Sequence, residues 1–89
     1  MSNFNIRKIN DRISFETSFR NEPGGFVHSA TLFIDNERMT RQHCHWGNRT
    51  WEAYPFQAVM KKCFKTLIER TKDAAKIAEY TQMLNLLGD

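Results

Sequence analysis

The residues best suited to chemistry are three histidines and two cysteines. His43, Cys44 and His45 are consecutive, whereas His28 and Cys63 stand apart. Imidazole and thiolate groups are ligands that zinc prefers. If the two segments that carry the histidines pair as strands across the turn between them, all three imidazoles can share one face of a sheet. A cysteine would then be the fourth ligand.

Strand alternation argues against this chemistry. Successive residues of a strand point to opposite faces, so His43 and Cys44 cannot act together as metal ligands or as base and nucleophile. The chain lacks a Cys-x-x-Cys or His-x-x-x-His pair, and Gly24-Gly25 is explained as a turn rather than a phosphate loop. We therefore expect a protein that is not an enzyme and holds no metal or cofactor.

The basic side chains indicate a binding function rather than catalysis, because they can contact phosphate or carboxylate groups. The candidate partner-binding residues carry a positive charge or a large ring: Arg38, Arg41, Arg49, Trp51, Lys61, Lys62 and Lys65. Such residues can contact phosphates and stack on bases. The alternative is a solvated helix face with both tryptophans in the core, because Glu52 and Glu69 dilute the positive charge.

The corner Asn48-Arg49-Thr50-Trp51-Glu52 has two interpretations. As structure, Asn48 makes the turn, Thr50 or Glu52 caps the following helix, and Trp51 fills the core. As function, an arginine between two tryptophans is a typical interface hot spot. The structural interpretation is favoured.

The same corner carries a resemblance. The run Gly47–Glu52, followed by Tyr54, Phe56-Gln57 and Val59, resembles a group of short phage and prophage proteins with an Asn-Arg-Thr-Trp-Glu corner before an amphipathic helix. The resemblance implies a mobile-element origin and action by binding a host or phage protein, including inhibition of CRISPR nucleases. It implies no catalytic residues, and the net charge of +3 argues against mimicry of DNA.

Alternating apolar and polar residues predict three antiparallel strands, at Ile13–Arg20, Phe26–Ile34 and Met39–Trp46. Residues 1–12 are either an extended arm or a fourth, edge strand. One register pairs Phe19 with Phe26, Phe15 with Ala30, and Ile34 with Met39. A one-residue bulge in the third strand would instead bury Cys44 and Trp46 and expose the histidines.

Two helices are expected after the strands. Apolar residues at three- and four-residue spacing form one stripe: Phe56, Val59, Met60, Cys63, Phe64, Leu67 and Ile68. We expect this helix to begin at Pro55 and to pack on the apolar face of the sheet. A later stripe from Ile77 to Leu87 is out of phase, which predicts a break at 71–73 with Asp73 as a cap. The fold class is therefore α+β.

Composition sets the remaining expectations. Eighty-nine residues, 40% of them hydrophobic, make one small domain at 1–89. A domain of this size is expected to have low stability, which formation of a homodimer would increase. The first residues lack the progression of a signal peptide, and no apolar run is long enough for a membrane span. We expect a cytoplasmic protein with reduced cysteines.

These patterns together predict a non-enzymatic, phage-type accessory protein that binds a macromolecular partner. The partner expected from the resemblance is a host or phage protein, and in particular a CRISPR-type host-defence nuclease. The alternative is a small nucleic-acid-binding protein that uses the same basic residues. The mild positive charge permits an acidic partner without requiring one.

Overall fold

The computed structural model describes residues 3–47 and 53–88 of the chain. Its elements, in chain order, are β1 (Asn3–Lys8), β2 (Ile13–Glu22), β3 (Gly25–Ile34), β4 (Glu37–Gly47), α1 (Pro55–Arg70) and α2 (Ala74–Asn85). The strands form one antiparallel sheet in the order β1-β2-β3-β4. The predicted α+β class is confirmed, and residues 3–8 supply the fourth strand. Neither described helix is long and apolar enough to cross a bilayer.

Two tight turns set the register of the sheet. Pro23 and Gly24 join β2 to β3, and Gly24 has the positive φ of 86° that suits the second position of a Pro-Gly turn. Asp35 and Asn36 join β3 to β4 with φ values of 53° and 66°. Two successive positive φ angles give a turn whose twist matches that of the flanking strands. Both turns are shorter than predicted, so the strands extend farther.

The predicted pairing of the first hairpin was wrong by two residues. Phe19 pairs with His28 rather than with Phe26, because Asn21 and Glu22 continue the strand. Side chains alternate with a period of two, so this shift leaves each residue on its expected face.

The second hairpin adopts the alternative register with a bulge. Ile34 pairs with Glu37 rather than with Met39, and the pairing then shifts by one residue between Phe33 and Thr31. An extra residue of β4 is accommodated at this point. The even-numbered residues of β4 beyond it therefore face the same side as the even-numbered residues of β3.

The shift separates the histidines. His28 lies on the face that α1 covers, here termed the inner face, and is 8% exposed. His43 and His45 point to the opposite, outer face and are exposed, while Cys44 lies across from His28. Among the described residues, no three His, Cys, Asp or Glu side chains are grouped so that they could hold a metal ion.

Helix α1 packs the predicted stripe on the inner face. The buried residues of this stripe are Val59, Met60, Cys63, Phe64 and Leu67. The ring of Phe64 meets that of Phe15 edge-on, with 5.8 Å between centroids. On the inner face, Phe15 is fully buried, whereas Phe26 is 38% exposed and stacks on Phe19. The core is therefore centred on the Phe15–Phe64 contact.

Two buried polar contacts fix α1 on the sheet. The hydroxyl of Thr40 donates a hydrogen bond to the carbonyl of Cys63 at 2.9 Å. The thiol of Cys63 in turn donates to the carbonyl of Ala30 at 3.3 Å. Because these partners lie on β4 and β3, the pair of bonds locks the helix across both strands.

The predicted break between the helices is confirmed. α1 ends at Arg70, and the side chain of Asp73 accepts hydrogen bonds from the backbone N–H groups of Ala75 and Lys76, at 2.9 and 3.5 Å. This arrangement caps α2. α2 then packs against α1 and buries Tyr80 and Met83.

Replacing Phe64 by alanine tests the packing of α1. Phe64→Ala removes a fully buried ring from the core, so we expect a loss of about 3 to 5 kcal/mol in the free energy of unfolding. The neighbouring Lys65→Ala is the matched control, because its exposed side chain should change this free energy by no more than about 0.5 kcal/mol. Urea denaturation measures both. Equal effects of the two substitutions would contradict the packing.

Burial of His28 predicts a pH dependence of stability. Phe19 and Phe56 place their rings 4.9 and 4.8 Å from its imidazole, and desolvation lowers the pKa of His28 below its usual 6.5. As the pH falls, the imidazole is therefore protonated at a higher pH in the unfolded chain than in the folded one. The free energy of unfolding should then decrease as the pH drops below about 6.5. His28→Leu should abolish this component, whereas the exposed His43→Asn should retain it. If the free energy of unfolding of His28→Leu depended on pH as it does in the unsubstituted protein, the prediction that His28 is buried as a neutral imidazole would be wrong.

Candidate binding surface on the sheet

The outer face of the sheet is the uncovered side. α1 packs on the inner side of β3 and β4, and α2 packs against α1. In the described part of the chain, neither helix crosses to the outer face. Most outward-pointing side chains are half-buried or exposed, although Val27 is buried among its neighbours.

The strand register arranges these outward side chains in rows. One row consists of Phe4, Ser18, Ser29 and His43; the next of Ile6, Glu16, Thr31 and Arg41; and the third of Lys8, Ser14, Phe33 and Arg38. The two middle strands contribute mostly small hydroxyl side chains. β1 contributes two large apolar side chains, and β4 contributes the arginines.

This contrast in size produces a shallow trough. Two adjoining depressions on the outer face have volumes of about 170 and 380 Å³. Phe4, Ser18, Ser29 and Arg41 line both, so the depressions are continuous, and we term them together the outer trough. Its floor consists of serine and threonine hydroxyl groups. Its walls are aromatic on the β1 side and basic on the β4 side.

The positive charge of the trough is concentrated on β4. Arg38 and Arg41 are exposed, and neither forms an ion pair with any described residue. By contrast, Arg20 at one end pairs with Glu22, with 2.6 Å between Nη2 and Oε1, and His45 lies 3.7 Å from the same carboxylate. Among the described residues of the trough, the two guanidinium groups on β4 are therefore available to an external anion.

The candidate residues predicted from the sequence fall on two surfaces. Arg38 and Arg41 lie together on the outer face, whereas Lys61, Lys62 and Lys65 belong to α1 on the other side of the sheet. Lys62 reaches the edge of β4, where its ammonium group donates to the carbonyl of His43 at 3.2 Å. The predictions for Arg49 and Trp51, like those for Thr50 and Glu52 as caps, lie outside the described residues.

Sequence reasoning missed the apolar wall of the trough. Phe4 forms this wall: it points outward from β1, is 55% exposed and lines both depressions. Ile6 is 79% exposed on the same side of β1 but lines neither depression. The alternation of apolar and polar residues in this segment is typical of an edge strand, but the sequence equally allowed an extended arm. The segment was therefore not included in the predicted binding surface. Ser18, Ser29 and Thr31 alternate with apolar residues, and this pattern carries no signal that they form the floor of a trough.

The cysteines are placed away from the outer trough. Cys63 is fully buried on the side of α1 that faces the sheet, and this burial raises the pKa of its thiol to about 11. Cys44 is half-buried on the inner face, opposite in direction to its neighbour His43. No thiol therefore meets an outer-face imidazole.

Comparison of the chain with protein-family models, with curated proteins and with solved structures gives no match. The outer trough must therefore be judged on its own geometry and charge.

The trough arginines should be removable without loss of stability. The double variant Arg38→Ser, Arg41→Ser truncates two exposed side chains that form no ion pair with a described residue. We therefore expect the free energy of unfolding to change by no more than about 0.5 kcal/mol. Urea denaturation measures this change, and unaltered far-UV circular dichroism serves as the control for the fold. Marked destabilisation would mean that these side chains have a structural role.

Proposed function

We propose that the protein is a non-enzymatic accessory protein that acts by binding a negatively charged macromolecule on its outer face. The observation that carries this proposal is the outer trough, where Arg38 and Arg41, which form no ion pair with a described residue, lie beside an exposed aromatic side chain. Positive charges next to a concave surface attract and orient a partner of opposite charge.

The outer face suits this role better than the exposed side of α1. Lys61 and Lys65 share their helix with Glu69, whose carboxylate reduces the local positive charge. Lys62 already donates to a backbone carbonyl.

The chemistry of the buried groups supports a role without catalysis. A nucleophilic cysteine needs a lowered pKa and a nearby base. The pKa of Cys63 is instead raised, because its thiol is buried under α1. His43 and Cys44 point to opposite faces of β4, so they form no nucleophile–base pair.

The resemblance of the corner at residues 47–52 to phage proteins supports a narrower proposal about the partner. We place the protein in the cytoplasm of a host cell, where it binds a host-defence nuclease of the CRISPR type. Such a nuclease holds a guide RNA and a DNA strand in a basic channel. The assembled complex therefore offers both protein and phosphate surfaces to a basic trough.

Affinity capture with matched variants tests the proposed surface. The purified protein, the outer-face variant Arg38→Glu, Arg41→Glu, and the helix variant Lys61→Glu, Lys65→Glu are immobilised and exposed to host lysate or to a purified nuclease complex. Charge reversal on the outer face should reduce recovery of the partner at least roughly 10-fold, because each buried charge contact contributes strongly. The helix variant should retain the partner.

The outcomes separate the two surfaces. Retention by the outer-face variant and loss by the helix variant would transfer the function to α1 and refute the proposal. If a nuclease is recovered, a target-cleavage assay with the added protein decides the narrower claim. Undiminished cleavage at saturating protein would exclude inhibition.

A further inference from the structure

We propose that the outer trough binds single-stranded nucleic acid, with the phosphates along β4 and the bases turned across the sheet toward β1. This inference rests on the proposed role of the outer face and names the chemistry of its ligand. Three features of the trough carry it: the charge on β4, the aromatic wall on β1, and the hydroxyl floor between them.

The β4 side of the trough is suited to a phosphate backbone. Arg38 and Arg41 are exposed and unpaired with any described carboxylate, and they lie three positions apart on one strand. A guanidinium group can donate two parallel hydrogen bonds to a phosphate. A row of such groups along an edge strand guides the backbone along the strand direction.

The β1 side is suited to unpaired bases. The ring of Phe4 is 55% exposed and lines both depressions of the trough. An exposed ring next to a basic row provides a stacking surface for a base, and such stacking tolerates any sequence. Phe33, half-buried in the smaller depression, offers a second ring on the β4 side.

The floor of the trough matches the edges of bases. Ser18 and Ser29 are cross-strand partners on the two central strands, and the Thr31 hydroxyl lies in the next row. Hydroxyl groups both donate and accept hydrogen bonds, so they can serve any base edge. Glu16 of β2 also lines the smaller depression, together with Arg38 and Arg41. A carboxylate can accept a hydrogen bond from the amino group of a base.

Other classes of ligand fit the trough less well. The core of a protein–protein interface is apolar and depleted of charge, whereas the floor here is polar. In a duplex the base faces are already stacked and are not available to an exposed ring. A single strand satisfies the arginines, the ring and the hydroxyl groups together.

Fluorescence anisotropy with labelled homopolymer strands of about 10 nucleotides tests this inference. The probes are oligothymidylate, oligouridylate and a duplex of equal length. We expect both single strands to bind at low salt, with affinity that falls as salt is raised. Arg38→Ser, Arg41→Ser should lower the slope of log affinity against log salt by about 1.4, because each phosphate contact to a single strand contributes about 0.7.

Substitutions on β1 separate stacking from charge. Phe4→Ala should weaken binding about 10-fold by removing a stacking ring, whereas Phe4→Trp should retain it. Ile6→Ala is the matched control, since Ile6 is exposed on the same strand but lines neither depression. Equal losses for Phe4→Ala and Ile6→Ala would refute the stacking arrangement.

The inference and the broader proposal can fail separately. Absence of single-strand binding at low salt, binding unchanged in the arginine variant, or equal affinity for the duplex would each overturn the inference. If a protein partner is nevertheless captured and then lost in Arg38→Glu, Arg41→Glu, the outer face remains the working surface and its ligand is a protein. If neither occurs, both proposals are wrong.

Discussion

The contact between α1 and the inner face of the sheet is the interaction on which the rest of the structure depends. The Phe15–Phe64 ring pair forms its centre, and the hydrogen bonds through Cys63 fix the helix across β3 and β4. A domain of this size has enough apolar residues to bury only one face of the sheet under helices. Because α1 occupies the inner face and α2 packs against α1, the outer face is left uncovered among the described residues. The candidate binding surface is thus a direct consequence of how the core is built.

The bulge in β4 decides what that uncovered face contains. Without the shift between Phe33 and Thr31, the odd-numbered residues of β4 would turn inward and the histidines would share one face. With it, Arg41, His43 and His45 turn outward while Cys44 and Trp46 turn inward. A single extra residue therefore replaces a cluster suited to metal with a basic edge suited to an anion.

Much of the fold could be predicted from the sequence because its local signals agree with the tertiary structure. The helical stripe from Phe56 to Ile68, the break at 71–73 and the Asp73 cap each follow from nearby residues alone. The register could not be fixed in the same way. It depends on two-residue turns at Pro23-Gly24 and Asp35-Asn36 and on the bulge, which alternation alone does not specify. The outer trough was missed for the same reason, since it exists only when Phe4, Ser18, Ser29 and Arg41 are brought into register across four strands.

The central claim is that function resides on the outer face, and NMR spectroscopy tests it most directly. Amide resonances of the ¹⁵N-labelled chain are followed while its captured partner or a single-stranded oligonucleotide is added. The account predicts that the largest shifts fall on Ser18, Ser29, Thr31 and Arg41, with little change along α1. Shifts concentrated on α1, with the resonances of β2 and β3 unmoved, would contradict it.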